Sequence, residues 1–161
     1  MSSNVCLLPS LLDRLIDREP GVNREADRSR HQVIHELKAS VARDLEDLLN
    51  SRRRCRPCPA GLKELERSLV NYGLPDFTGM TLNSSEARER FRQLLETTIS
   101  LWEPRFLSLR VTLLDTTEPL ERILRFRIDA LLRAEPAPEP VAFDSILDPG
   151  KGSFEIGRGR R

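Results

Sequence analysis

The strongest hydrophobic pattern in the chain lies between His31 and Arg53. Apolar residues recur there at gaps of three and four, the spacing that places them along one face of an α-helix. They are Val33, Ile34, Leu37, Val41, Leu45, Leu48 and Leu49. Acidic residues occupy the other faces, and Arg52 to Arg54 follow at the end where cations favour the helix dipole. The pattern predicts a long amphipathic helix.

Two shorter helices are predicted on the same grounds. The first covers PSLLDRLIDRE and ends at Pro20 and Gly21; it is too short to be stable unless it docks on something else. The second follows the Pro-rich CRPCPAG break and ends at Gly73, before Pro75. Its apolar positions are Leu62, Leu65, Leu69 and Val70.

A fourth helix is predicted between residues 83 and 103. Asn83 and Glu86 have the spacing of an N-terminal capping pair. Pro104 disfavours a helical conformation at Glu103, so the helix is expected to end there. The residues expected to be buried are Phe91, Leu94, Leu95, Ile99 and Trp102.

After Pro104 the period of the pattern changes to two. In FLSLRVTLL the expected inward residues are Leu107, Leu109, Val111 and Leu113. In LERILRFRIDALL they are Leu124, Phe126, Ile128, Ala130 and Leu132. VAFDSIL and SFEIG flank the turn residues DPGKG, which predicts a hairpin. Helices followed by strands with one wet face predict an α+β fold, with N-terminal helices on one face of a mainly antiparallel C-terminal sheet.

The length suits one domain over residues 1–161. We expect an N-terminal helix and linker (1–30), a helical part (31–103), a sheet (104–157) and a tail (158–161). No apolar run is long enough to span a membrane, and the N-terminus has no signal-peptide pattern. The odd count of three cysteines fits a reducing, cytoplasmic location. A net charge of +1 argues against nucleic-acid or membrane binding driven by bulk charge.

Candidate metal and redox residues are few. His31 and His35 are four residues apart on one helix, but Gln32 stands where a metalloprotease needs glutamate. Cys55 and Cys58 form a single CxxC in a Pro-rich loop, without a second ligand pair after it. We interpret the histidines as residues of a solvated or capping helix start and the cysteines as loop residues without special chemistry. No metal and no cofactor are therefore expected.

No arrangement of residues that would build an active site is visible in the sequence. There is no glycine-rich phosphate loop after a strand and no GxSxG motif. The arginines Arg122, Arg125 and Arg127 suit a phosphate-binding strand face, but equally the solvated side of a sheet or a guarded edge. We therefore expect no enzymatic activity.

Glu103, Pro104 and Arg105 interrupt the apolar stretch between Trp102 and Phe106. The simpler interpretation is a helix stop with a surface ion pair, worth only about 0–1 kcal/mol. The alternative is a binding site, because Trp and Arg are common interface anchors and the proline splays the two charged side chains in a fixed geometry. From the residues alone, both interpretations stay open.

The ordered set LEDLLNSRRR, SLVNYGLPDFTGM, LWEPRFLSLRVTL and RFRIDALL resembles the TssE family of type VI secretion baseplate subunits, and the related baseplate wedge protein of contractile phage tails. The resemblance covers about residues 7 to 157. It implies a cytoplasmic structural protein of the lysozyme-like family that is not a catalyst. NYGLPDF is expected to have a structural role, in which Tyr72 and Phe77 pack while Gly73 and Pro75 shape the turn; an interface role for that turn is the alternative.

The resemblance implies partners as well. Family members contact the wedge proteins TssF and TssG, with TssK as a further candidate, and help to start assembly of the TssB/TssC sheath. It assigns docking on the wedge to Glu103, Pro104 and Arg105. It also implies that a sheet edge accepts sheath strands, with the hairpin from Val141 to Ile156 as the candidate region. Neither nucleic acid nor direct membrane insertion is implied.

Two other functions compete with this one. A stand-alone adaptor or anti-adaptor on the same fold is the main alternative. A muramidase-type hydrolase is suggested only by an older label of phage relatives, and no acid–base geometry in the sequence supports it.

Overall fold

Helices precede strands throughout the part of the chain that this computed structural model describes, which is residues 10–16, 21, 29–54, 61–77, 80, 82, 84–114, 123–134, 137–148 and 150–158. The helical elements are α1 (Leu11–Leu15), α2 (Arg30–Asn50), α3 (Lys63–Glu66), a 3₁₀ turn (Leu69–Asn71) and α4 (Ser85–Trp102). The strands are β1 (Phe106–Leu114), β2 (Leu124–Leu132), β3 (Glu139–Asp148) and β4 (Ser153–Arg158).

The four strands form one antiparallel sheet in the order β1-β2-β3-β4. Val111 lies opposite Ile128, and Ile128 lies opposite Phe143. The predicted final hairpin is confirmed, since Asp148 pairs with Ser153. Within the described strands, β1 and β4 are therefore the two edges of the sheet. The predicted α+β fold is confirmed.

The core lies between the inner face of the sheet and helices α2 and α4. Alternate residues of β2 are buried, as the period of two predicted, and so is the stripe of α2. Edge-to-face ring pairs at the centre join Phe77 to Phe91 and Phe154, both at 5.5 Å, and Phe126 to Phe154 at 5.9 Å. The largest fully buried side chains are Phe91, Phe126, Phe143, Phe154, Leu45, Leu49, Leu74, Leu95, Ile99, Ile128, Leu132 and Leu147.

The prediction for Leu107 was wrong. The register of β1 against β2 shifts between Phe106 and Ser108, so Leu107 is an additional residue in a β-bulge. The bulge reverses the alternation on its N-terminal side. As a result Leu107 is 47% exposed, while Phe106 packs against the core.

The helix ends also differ from the predicted ones. The cap of α4 is Ser84, whose hydroxyl accepts a hydrogen bond from the Ala87 amide, and not Asn83. Helix α2 ends at Asn50, so Arg52 to Arg54 lie beyond its last turn. The short helix that was predicted after the CRPCPAG break is split into α3 and the 3₁₀ turn. This split leaves Leu69 and Val70 exposed, because they no longer share a face with the core.

The NYGLPDF segment holds the end of α2 against the core. Main-chain hydrogen bonds join the Leu74 amide to the Ser51 carbonyl and the Arg53 amide to the Leu74 carbonyl, both at 2.9 Å. Gly73 has a φ of +99°, which side-chain-bearing residues rarely adopt. Phe77 is buried under the Arg52 guanidinium, whose carbon lies 4.3 Å from the ring centre. The expected packing of this segment is confirmed.

No helix in the described ranges combines the length and the apolar character that crossing a membrane requires.

Candidate partner-docking site at the helix–strand junction

The junction between α4 and β1 is built on Glu103 and Pro104. The Glu103 amide still donates to the Ile99 carbonyl at 2.8 Å, but the backbone of Glu103 has left the helical region, with φ −113° and ψ 83°. Pro104 then prevents a further helical turn. The helix ends at Trp102 and the strand begins at Phe106, so the predicted stop is confirmed.

The two charged side chains of the junction bind each other. The Arg105 Nε donates to Glu103 Oε1 at 2.6 Å, and Nη2 of the same guanidinium contacts Glu103 Oε2. The Arg105 main-chain amide also donates to Glu103 Oε1, at 3.1 Å. Glu103 and Arg105 therefore close on each other around Pro104, instead of being splayed apart as the sequence suggested.

Asp44 of α2 completes this ion pair. Nη2 of Arg105 lies 2.7 Å from Asp44 Oδ2, so one guanidinium joins α2 to the junction. Burial alone would lower the pKa of Arg105, but the hydrogen bonds and charges of Glu103 and Asp44 outweigh it and raise that pKa above its ordinary value. The cation is thus firmly held.

The charged network continues from Asp44 to α1. Arg43 Nη2 contacts Asp44 at 3.2 Å and Asp13 at 2.8 Å. Asp13 also accepts hydrogen bonds from Ser10 at 2.6 Å and Ser40 at 2.5 Å. Burial raises the pKa of Asp13, but the hydrogen bonds from Ser10, Ser40 and Arg43 lower it further than burial raises it. Helix α1 is therefore docked on α2 through a carboxylate.

An aromatic pair packs beside the junction. The rings of Tyr72 and Trp102 meet edge to face, with their centres 5.3 Å apart. Burial raises the pKa of the Tyr72 hydroxyl, and the negative charges of Asp47, Asp44 and Glu103 raise it further.

Exposure divides the three predicted docking residues. Glu103 is only 5% exposed, the Arg105 side chain is 25% exposed, and Pro104 is exposed. Pro104 and part of Arg105 are therefore accessible at the surface, whereas the Glu103 carboxylate is buried against Arg105. This divides the roles that the sequence assigned jointly to all three residues.

The other sequence candidates lie elsewhere. His31 and His35 are exposed near the start of α2. Among the described residues, no group of three or more His, Cys, Asp or Glu side chains is arranged to hold a metal. Cys55 and Cys58 lie outside the described residues.

The predicted arginines of the sheet lie on its outer face. Arg125 and Arg127 point away from the core, and Arg127 Nε lies 3.2 Å from Asp144 on the neighbouring strand. That contact favours the solvated-sheet interpretation over a phosphate site. Arg122 lies outside the described residues.

Sequence reasoning missed Asp44 as a partner of Arg105. The two residues are 61 positions apart, and no local spacing connects them. On α2, Asp44 looked like any other residue of the solvated face. Only the packing of α2 beside the junction brings the carboxylate to the guanidinium.

The sequence from residue 35 to residue 137 matches the family described as baseplate wedge protein gp25. The chain belongs to this family. The predicted resemblance is therefore confirmed, and the matched segment of this gp25-family member contains Asp44, Glu103, Pro104 and Arg105.

A solved structure described as "The baseplate complex from the type VI secretion system" contains a chain with a similar fold. The TM-score is 0.51 at 17% sequence identity, over 78% of this gp25-family chain and 97% of that chain. At this identity the likeness shows a shared fold. No curated protein matches the chain.

Proposed function

We propose that this chain is a structural, non-catalytic subunit of the TssE type in a type VI secretion baseplate. It works on the cytoplasmic side, docks on the wedge proteins TssF and TssG, and helps to start assembly of the TssB/TssC sheath. The observation that carries this proposal is the gp25-family match, which spans the junction and both elements that build it.

The geometry of the junction supports the docking role. Glu103 and Asp44 fix the Arg105 guanidinium from two sides, so little side-chain freedom remains to be lost when a partner binds. Pro104 is exposed beside this rigid base. A stiff apolar tip beside a fixed cation suits a pocket that is partly apolar and partly acidic.

The sheet supports the role in sheath assembly. Among the described strands β1 and β4 are its edges, and a sheet edge can take up an extended strand through main-chain hydrogen bonds. The addition of strands from the first sheath layer would make the sheet a template for the layers that follow.

The docking role is tested by capture of the purified chain on immobilised TssF–TssG. Pro104→Asp changes the exposed tip without removing any contact in the charged network. We expect about tenfold weaker capture or more, equivalent to about 1.4 kcal/mol. The matched control is Arg90→Ala on the exposed face of α4, where the side chain is 73% exposed and capture should be unchanged.

A melting curve accompanies each variant, so that lost capture is not confused with lost fold. If the folded Pro104→Asp chain is captured on TssF–TssG as well as the wild type is, the junction has no docking role. Failure of the wild type to bind any wedge protein would remove the baseplate function as a whole.

A further inference from the structure

The outer edge of β1 is covered by one carboxylate from α4. The Val111 amide points away from β2 and donates to Glu96 Oε1 at 2.8 Å. In an antiparallel strand, alternate residues point their main-chain groups to the same side. Leu109 and Leu113 therefore present their amides and carbonyls to the edge that Glu96 covers at its centre.

A groove runs along this edge, between β1 and α4. It is open to solvent and has a volume of about 880 Å³. Its lining comes from the α4 residues Ser85, Arg88, Glu89, Arg92 and Glu96, with Leu124 and residues 109–114. Within the described strands, nothing pairs with β1 on this side.

When the contact of Glu96 with β1 is broken, the Glu96 carboxylate still has a cationic partner. Arg92 Nη1 lies 2.5 Å from Glu96 Oε1, and the same guanidinium binds Glu89 through Nε at 2.8 Å. When Glu96 leaves the Val111 amide, it therefore keeps its cationic partner on α4. A charge without a partner would make release costly, and this arrangement avoids that cost.

The other edge of the sheet is closed more tightly. Asn50 of α2 binds Phe154 of β4 twice: its Nδ2 donates to the Phe154 carbonyl at 3.0 Å, and its Oδ1 accepts from the Phe154 amide at 2.9 Å. Both outward main-chain groups of that residue are thus occupied by one amide side chain. An incoming strand would have to break two hydrogen bonds there, but only one at Val111.

We propose that the β1 edge is the strand-accepting site of this protein, and that Glu96 is a latch that covers it until an extended segment of a partner takes its place. A carbonyl of the incoming strand then accepts the hydrogen bond of the Val111 amide, and Glu96 keeps only its ion pair with Arg92. This rests on the proposed function, in which a sheath strand adds to the sheet. It moves the site from the final hairpin to the opposite edge.

The lining of the groove defines the chemistry of the incoming strand. Side chains that point inward meet Leu109 and Leu113, so they are aliphatic. Side chains on the outer face lie beside Arg110, which favours acidic residues there. A second copy of β1 does not meet this requirement, because FLSLRVTLL contains Arg110 and no carboxylate.

The latch is tested first on the isolated chain. Glu96→Ala should speed hydrogen exchange of the Val111 amide, because the hydrogen bond that protects it is gone. Glu89→Ala is the matched control, since Glu89 binds Arg92 but not β1. Exchange at Val111 that is equal in wild type and Glu96→Ala would overturn the latch.

The site is tested with the purified sheath-subunit pair as the probe. Glu96→Ala should tighten capture about two- to tenfold, the effect of removing one competing hydrogen bond. Leu113→Pro removes an outward amide from β1 without touching its bonds to β2, and should weaken capture about tenfold or more. Ile156→Pro removes an outward amide from β4 instead, and it should leave capture unchanged.

The two proposals fail in different ways. Capture lost in Ile156→Pro and kept in Leu113→Pro would overturn the β1 site and leave the proposed function standing. The absence of any capture by the wild type would overturn both the sheath step and the site that depends on it.

Discussion

Glu103 and Arg105 form an ion pair across the proline that separates them, with Arg105 Nε 2.6 Å from Glu103 Oε1. The carboxylate is almost fully buried, and the same guanidinium reaches Asp44 on α2. The motif proposed as the docking site thus also joins the helix–strand junction to α2 within the fold. Because mutations in the motif are expected to change stability, any test of binding at this motif needs a stability measurement beside it.

Arg105→Ala should destabilise the chain by about 2–3 kcal/mol. The substitution leaves the Glu103 carboxylate buried without its cation, and a broken buried pair is costly even where the guanidinium is partly exposed. The measurement is urea unfolding at neutral pH. Arg90→Ala on the exposed face of α4 is the control and should stay within about 0.5 kcal/mol of wild type. If Arg105→Ala is as stable as that control, the contacts of Arg105 with Glu103 and Asp44 make no net contribution to the free energy of unfolding.

Asp13 should make α1 docking sensitive to acid. Its pKa is below the ordinary value of a carboxyl group, so its contribution to stability is complete above that ordinary value, about 3.9, and is lost as the pH falls toward the lower pKa of the folded state. Wild type should therefore lose its stability advantage over Asp13→Asn as the pH falls below about 4. The measurement is the difference in unfolding free energy between the two chains at a series of pH values. A difference that does not depend on pH would contradict the role of the charge.

Tyr72 should ionise above the ordinary tyrosine range. Burial and the nearby carboxylates of Asp47, Asp44 and Glu103 raise its pKa. The chain has one tyrosine, so an absorbance titration reports on this side chain alone. The midpoint should lie above about 10 in the folded chain and return to about 10 in denaturant. In Glu103→Gln the midpoint should move down, because one of the negative charges is gone; a midpoint that stays in place would contradict this contribution.

Gly73→Ala should be much more damaging than Gly61→Ala. Both glycines have positive φ, +99° and +97°, so both substitutions carry backbone strain of about 1 kcal/mol. A Cβ at Gly73 would also lie 2.7 Å from the Ser51 carbonyl carbon, whereas a Cβ at Gly61 meets nothing within 4 Å. The expected losses in unfolding free energy are about 3 and about 1 kcal/mol. Equal losses would show that the close approach to Ser51 relaxes easily.

Ser145→Ala should leave stability unchanged or raise it by up to about 1 kcal/mol. Ser145 is 1% exposed on the inner face of β3, and its hydroxyl has no hydrogen-bond partner among the described residues. Alanine removes this unsatisfied group with little change in volume. Ser40→Ala is the contrasting variant, because the Ser40 hydroxyl donates to Asp13, and it should be destabilising. A clear loss of stability in Ser145→Ala would mean that its hydroxyl has a partner after all.

Periodicity determined most of the fold from the sequence alone. The stripe of α2 and the alternation of β2 appeared in the structure as predicted, because a helix or strand with one buried face repeats its apolar residues at a fixed local spacing. Pro104 fixed the boundary between α4 and β1 for an equally local reason, its conflict with a helical conformation at Glu103.

Local patterns failed where a single residue changed the register. The bulge at Leu107 adds one residue to β1, and nothing in FLSLRVTLL shows which residue will be displaced. The sequence also did not show which strands are edges, because the edge strand β1 and the inner strand β3 have the same alternation of apolar and polar residues.

Only the tertiary structure decided which contacts the charged and polar side chains make. Arg105 meets Asp44, Glu96 meets the Val111 amide, and Asn50 meets Phe154. Each of these contacts joins residues on different elements of the fold. A polar side chain on a helix surface follows no period that reveals its partner, because the partner is set by how the elements pack. The sequence by itself therefore determined the elements and the family, whereas packing determined which residues join α2 to the junction and which carboxylate covers the β1 edge.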